Sequence, residues 1–218
     1  MQAGNWPISR EMQEYAVRFD KARQRRLLIV PALFDEGNKM RRLTVQLMRT
    51  LDRGGVDTIL PDLPGMNESL ASLAEQTLEN WRAAIAAAEH AFAATHTLTI
   101  RGGALCKPDG PATRYAPLPG PTQLRDLLRA RAIADREAGY STTRDQLLTA
   151  GRAEGLLLAG YQIGPEMIRQ LEAADIDFRD DDIRQRDIGG VGLWLRAEPS
   201  GDAAQAETLA QIVLERLR

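Results

Sequence analysis

Two apolar runs flanking one amphipathic stretch constrain this chain more than any other feature. Leu27-Leu28-Ile29-Val30 is a short block of the kind that makes a buried strand, and residues 56–60 form a second one. Between them Met40, Leu43, Leu47 and Leu51 recur at helical spacing. Strand, helix, strand in that order implies a parallel crossover, because antiparallel neighbours are joined by tight hairpins. Asn38 is placed to cap the helix, Arg53-Gly54-Gly55 ends it, and Pro61-Asp62-Leu63-Pro64-Gly65 turns the chain out of the second strand. An alanine-rich helical stretch follows over residues 70–94, with Leu73, Leu78, Trp81, Ile85 and Phe92 as its large apolar groups, and a third strand over residues 96–100. Three strands separated by two helices predict a doubly wound parallel sheet, with any site at the carboxyl ends of its strands.

The rest of the chain is less regular. Residues 1–21 read as an amino-terminal arm holding a strand or a short helix, and residues 23–26 as a solvated basic run. Prolines and glycines crowd residues 107–120 around an extended stretch, 112–118, so little helix can follow the third strand. Residues 123–138 and 143–153 read as polar-faced helices, 156–161 as a strand or buried turn, and 165–174 as another helix. Residues 177–187, dense in Asp and Arg, read as a solvated loop, 191–197 as a last sheet strand, and 203–217 as a closing amphipathic helix. Arg125, Arg129, Arg131 and Arg136 share a helix with Asp126, Asp135 and Glu137, which favours a solvated face over a surface for an acidic partner or a membrane.

Composition bounds the partners. With 218 residues, 44% of them hydrophobic, the chain can bury one substantial core, so residues 1–218 are expected to form a single α/β domain. A net charge of −2 gives no electrostatic footprint for nucleic acid. The apolar run at residues 27–34 is too short to span a bilayer, and no basic segment precedes an apolar core at the amino terminus, which favours a cytoplasmic location. One cysteine, Cys106, and two histidines, His90 and His96, supply neither an internal disulfide nor a metal-ligand set. No metal and no cofactor is expected.

The third strand runs into Thr99-Ile100-Arg101-Gly102-Gly103-Ala104. In the G-x-S-x-G elbow the third residue sits on a strained strand-to-helix turn and carries the nucleophile. Arg101 takes that place, and a guanidinium stays protonated and cannot attack a carbonyl. A serine triad on this scaffold also needs its histidine last in the chain, yet both histidines precede the turn and residues 198–202 hold none. Cys106 lacks a histidine partner and reads as a small buried apolar residue.

The sharper constellation is Glu36, Asn38, Lys39 and Arg101, expected at the ends of adjacent strands. Two readings of it stand. Glu36 and Arg101 form a structural ion pair in place of a catalytic centre, or Arg101 and Lys39 grip a carboxylate or phosphate in an anion pocket. Asp62 reads as a cap of its turn, and Arg42 as part of a solvated helix face within reach of the turn. Arg42, Asp62, Gly102 and Gly103 complete the candidate binding set.

Val30-Pro31-Ala32-Leu33-Phe34-Asp35-Glu36-Gly37-Asn38-Lys39-Met40-Arg41-Arg42 resembles the P-P-F-x-E-E-x-N-K-x-R-R turn of the exosortase A system-associated hydrolase 2 family. Leu60-Pro61-Asp62-Leu63-Pro64-Gly65, Trp81-Arg82, Arg101-x-Gly103-Ala104-Leu105 and Ala159-Gly160-Tyr161 match in order, so the resemblance runs from about residue 27 to residue 176. It implies a reduced three-layer α/β-hydrolase-like fold with a mostly parallel sheet, residues 123–174 forming a helical cap or flanking insertion. It also implies that Arg at the elbow is inherited. The expected role is then an exosortase- or exopolysaccharide-associated protein without serine-hydrolase activity, binding a small anionic or acyl ligand or a protein partner of that system. Two alternatives stand beside it: an atypical hydrolase or acyltransferase, with Arg101 polarising a carbonyl and Glu36 activating water, and an anion-binding or partner-scaffolding module. Two departures from the family pattern bear on the site. The first elbow glycine is lost, and Lys107-Pro108-Asp109-Gly110 cuts the following helix short, which weakens the positive helix terminus that serves an oxyanion hole.

Overall fold

A computed structural model describes residues 1–9 and 12–217. Its main sheet contains β1 (Gln2–Pro7), β2 (Gln13–Phe19), β3 (Arg26–Val30), β4 (Asp57–Pro61), β5 (His96–Ile100) and β6 (Thr113–Tyr115), in the order β1-β2-β4-β3-β5-β6. The β1–β2 and β2–β4 pairings are antiparallel, while β4–β3, β3–β5 and β5–β6 are parallel. Successive side chains on a strand point to opposite faces, so β3 sends Leu28 and Val30 to one core and Leu27 and Ile29 to the other. All four are buried, as expected for a parallel strand covered on both sides.

Helices cover both faces. On one side lie α1 (Asp35–Arg53) and α7 (Ala203–Arg216), packed against each other. Met40, Leu43, Leu47, Met48 and Leu51 give α1 its buried stripe, each stabilising the fold by about 1.5–3 kcal/mol if fully withdrawn from water. The other side carries α2 (Leu78–Ala91), then α3 (Gly120–Glu137), α4 (Arg144–Glu154) and α5 (Pro165–Ala173), whose apolar residues join one core with Phe34 and Trp81. A small hairpin, β7 (Leu156–Leu158) and β8 (Tyr161–Ile163), sits between α4 and α5. Its two turn residues, Ala159 and Gly160, both have left-handed backbones, the requirement of a two-residue hairpin loop. Among the described residues no helix is long and apolar enough to cross a membrane.

Several expectations are corrected. Asn38 is not a cap: α1 starts three residues earlier, after Phe34, with Asp35 and Glu36 in its first turn, where carboxylates suit the helix dipole. The helix expected over residues 70–94 begins only at Leu78, because Thr77 caps it by accepting from the Asn80 amide. The amino-terminal arm takes the strand alternative of its reading, as an antiparallel pair, with residues 10 and 11 outside the described residues. The basic run is not freely solvated, since Arg23 and Arg26 both reach the buried carboxylate of Asp57.

The segment read as a solvated loop, residues 177–187, is partly core. Ile183 is buried and bridges Tyr115 in parallel, and Asp182 is buried against Arg114. That bridge takes the sheet edge beside β6. Residues 191–197 are accordingly not a strand but a short turn, Leu193–Leu195, following α6 (Gln185–Ile188). Gly189 and Gly190 have left-handed backbones that break an extended path, and a Cβ on Gly192 would lie 2.5 Å from the Trp194 ring folded back over it.

Candidate functional site

Three neighbouring parallel strands run into left-handed residues at their carboxyl ends. Arg101 follows β5 directly with φ 53°, Ala116 follows β6 with φ 45°, and Phe34, four residues past β3, has φ 53°. For residues as large as Phe and Arg this backbone is unusual and costs on the order of 1–3 kcal/mol each, so the surrounding packing must enforce it. The enforcement is visible at Gly103, where a Cβ would lie 2.4 Å from the Pro31 carbonyl oxygen and 2.8 Å from that of Val30. Residues 101–106 wind as a tight 3-10 turn instead of a full α-helix, as the breakers downstream predict.

The turn aims the Arg101 side chain at α1. Arg101 Nε donates to Glu36 Oε2 at 3.0 Å and Nη2 donates to Glu36 Oε1 at 2.9 Å, a bidentate pair. Nη1 donates to the Ala116 carbonyl at 3.1 Å, and the guanidinium lies 4.0 Å from the Trp194 ring centroid. The two side chains are only 10% and 13% exposed. Every nitrogen of the guanidinium is therefore engaged and one face is covered. Both Glu36 oxygens accept from Arg101.

The other candidate residues separate. Lys39 pairs with Asp35 at 2.6 Å, whereas Arg101 pairs with Glu36. Asn38 is exposed and donates to the Tyr161 hydroxyl at 2.8 Å, tying α1 to the hairpin. Asp62 is buried and accepts from Arg41 and Asn67 at 3.2 and 2.8 Å, away from the pair. Arg42 is exposed and lies along Gly201. Gly102 lies under Leu33 and the Gln123 carboxamide, and Gly103 lies under Pro31.

Clefts open on both sides of the Arg101–Trp194 stack. One, of roughly 570 Å³, is lined by Asp35, Glu36, Lys39, Gln123, Leu127, Ile133, Trp194 and Leu195. The other, of roughly 330 Å³, is lined by Arg101, Ala116, Phe178, Asp182 and Arg184. Lys39 and Arg101 thus border different clefts.

Groups that could replace a serine nucleophile lie elsewhere. Burial pushes the Cys106 thiol up to about 12, so it stays protonated at neutral pH. His90 and His96 are exposed, and His96 begins β5, about 16 Å of strand from Arg101 at ~3.3 Å per residue. Among the described residues no cluster of His, Cys, Asp or Glu could hold a metal ion.

Sequence reasoning misses Trp194 and Gln123. Trp194 falls within an expected strand, although a tryptophan framed by Gly189, Gly190 and Gly192 is itself a sign of a ring packed over a tight turn. Gln123 gives no signal, because one glutamine on a polar-faced helix is unremarkable until the fold buries it.

No protein-family model and no curated protein matches the chain in sequence. Solved structures do resemble it. Alpha/beta hydrolase domain-containing protein 10 from mouse is 16% identical with a TM-score of 0.50, over 79% of this chain and 70% of its own length. Est1E from Butyrivibrio proteoclasticus is 16% identical with a TM-score of 0.49, over 78% of this chain and 69% of its own. A proline iminopeptidase-related protein from Thermus thermophilus is 19% identical with a TM-score of 0.47, over 70% of this chain and 56% of its own. At such identities the likeness concerns architecture and leaves chemistry open. With the mouse protein as its structural counterpart and a mostly parallel sheet flanked by helices, the chain has the α/β-hydrolase fold.

Proposed function

We propose that this chain is a non-catalytic member of the hydrolase fold, in which the Arg101–Glu36 pair holds the shape of a former active site and the adjoining cleft binds a small acyl ligand. Residues 123–174 act as its helical cap. The observation that carries this reading is the bidentate pair itself: an arginine at the strained elbow, locked to the helix after β3. That contact fills the space where a nucleophile and an attacking water would work, and neither histidine is within reach to serve as base. An anion pocket is less well supported, since Lys39 and Arg101 each already have a carboxylate partner. The setting we assign, a cytoplasmic role with a protein partner in an exosortase or exopolysaccharide system, is supported by the ordered motifs from Val30 to Tyr161.

Treating the purified chain with a fluorophosphonate and with p-nitrophenyl butyrate tests the non-catalytic half of this reading. The expected result is an unchanged intact mass and no ester turnover above buffer. A one-to-one adduct, or turnover that disappears in a folded Glu36→Gln variant, would overturn it.

A further inference from the structure

Glu14, near the start of β2, is a buried carboxyl group outside the candidate site, 2% exposed. Its Oε1 accepts from the Ser69 hydroxyl at 2.7 Å, while its Oε2 is buried and has no hydrogen-bond partner among the described residues. The charged group facing it is another carboxylate. Asp62, 2% exposed at the end of β4, accepts from Arg41, Asn67 and the Glu68 amide, and its charge acts on Glu14. Trp6, opposite Glu14 on β1, is not titratable, and among the described residues no lysine or arginine pairs with Glu14. Burial pushes the Glu14 carboxyl above its ordinary value, the Ser69 hydrogen bond pulls it part of the way back, and the Asp62 charge pushes it up again.

Ser69 is a node of the turn that leaves β4. Its Oγ accepts from the Gly65 and Ala71 amides at 2.8 and 3.2 Å and donates to Glu14, so one hydroxyl closes the turn and ties it to β2. The root of the turn is held separately, by Trp81 Nε1 donating to the Pro64 carbonyl at 2.9 Å and by the buried Met66. Beyond it Asn67, Glu68 and Leu70 are exposed, and the bonds from Asn67 and Glu68 to Asp62 stay within the turn. The link from residues 67–71 to β2 is Glu14.

We propose that Glu14 and Ser69 form a pH-sensitive clasp: with Glu14 neutral, residues 67–71 close on β2, and with Glu14 ionised they lift away and admit water to Oε2. A neutral carboxyl loses little by leaving that oxygen unpartnered, whereas an ionised one bears the cost of burial without a counter-charge. The closed turn thus holds the proton more tightly than the open one. Closure is fully favoured below the ordinary carboxylate range and is lost as pH rises through the raised value of the closed state. Because β4 is parallel to β3, and β3 to β5, the clasp opens at the end of the sheet where Arg101 stands.

Hydrogen exchange of the full chain by mass spectrometry, from about pH 5 to about pH 8 and corrected for the chemical exchange rate, tests this. Protection of residues 65–71 is expected to fall by about fivefold or more as pH rises, measured against the β3 and β5 amides. Glu14→Gln should fold and should show no such fall; Glu14→Met repeats the test if the glutamine variant is unstable. An unchanged pH dependence in these variants, constant protection across the range in the wild type, or protection that grows with pH would each overturn the proposal. A loss shared equally by β3 and β5 would overturn it as well, because it would mark unfolding of the whole sheet.

Discussion

Glu36→Leu is expected to destabilise the chain by about 3–5 kcal/mol, the usual cost of stranding one member of a buried ion pair. For a domain of this length that corresponds to a fall in Tm of roughly 10 °C by calorimetry. The size follows from what the variant leaves behind. Arg101 is anchored from the other side by the Ala116 carbonyl and the Trp194 ring, so its guanidinium cannot simply turn out to water. Its backbone is held left-handed by the packing of Gly103 against Pro31, which fixes the root of the side chain as well. An exposed pair would give less than about 1 kcal/mol, and a loss that small would mean that Arg101 reaches solvent in solution.

Asp182→Ala is expected to be as costly, again about 3–5 kcal/mol, for a different part of the molecule. Arg114 Nε and Nη2 donate to the two Asp182 oxygens at 2.6 and 2.7 Å, with side chains 7% and 4% exposed. Asp182 also accepts from the Arg179 amide at 2.8 Å, and Arg114 reaches the Asp177 carbonyl. This knot ties the segment that contains Ile183 to β6, where the Ala116 amide donates to the Ile183 carbonyl. Hydrogen exchange by mass spectrometry should therefore show protection lost first over residues 177–188 and 113–116, with the β3 and β5 amides protected to a higher free energy. Uniform loss across the whole sheet would contradict this division of labour.

The two variants mark how far the sequence could be read. The β3–α1–β4–α2–β5 succession was legible because its strands are buried on both faces and its helices carry a 3.6-residue period, signals that are local. The Glu36–Arg101 contact was legible as one of two readings, since both residues lie just beyond strands that such a sheet sets side by side. What could not be read depends on long-range partners. β1 is mostly exposed and β2 mixes buried and exposed residues, and their extension is fixed by pairing of β1 with β2 and of β2 with β4. Residues 191–197 have the composition of a strand, but Ile183 already occupies the sheet edge, and the segment becomes the turn that lays Trp194 over Arg101. Gln123 is polar on a polar-faced helix, and only the approach of the 101–106 turn buries it.

The pairing of Arg101 with Glu36 is tested most directly by a double-mutant cycle in urea, comparing the wild type with Arg101→Met, Glu36→Leu and the double variant. A coupling free energy of about 2 kcal/mol or more is expected, with the double variant more stable than Glu36→Leu alone, because it removes the stranded charge. Effects additive to within about 0.5 kcal/mol would contradict a fixed pair at the end of β5.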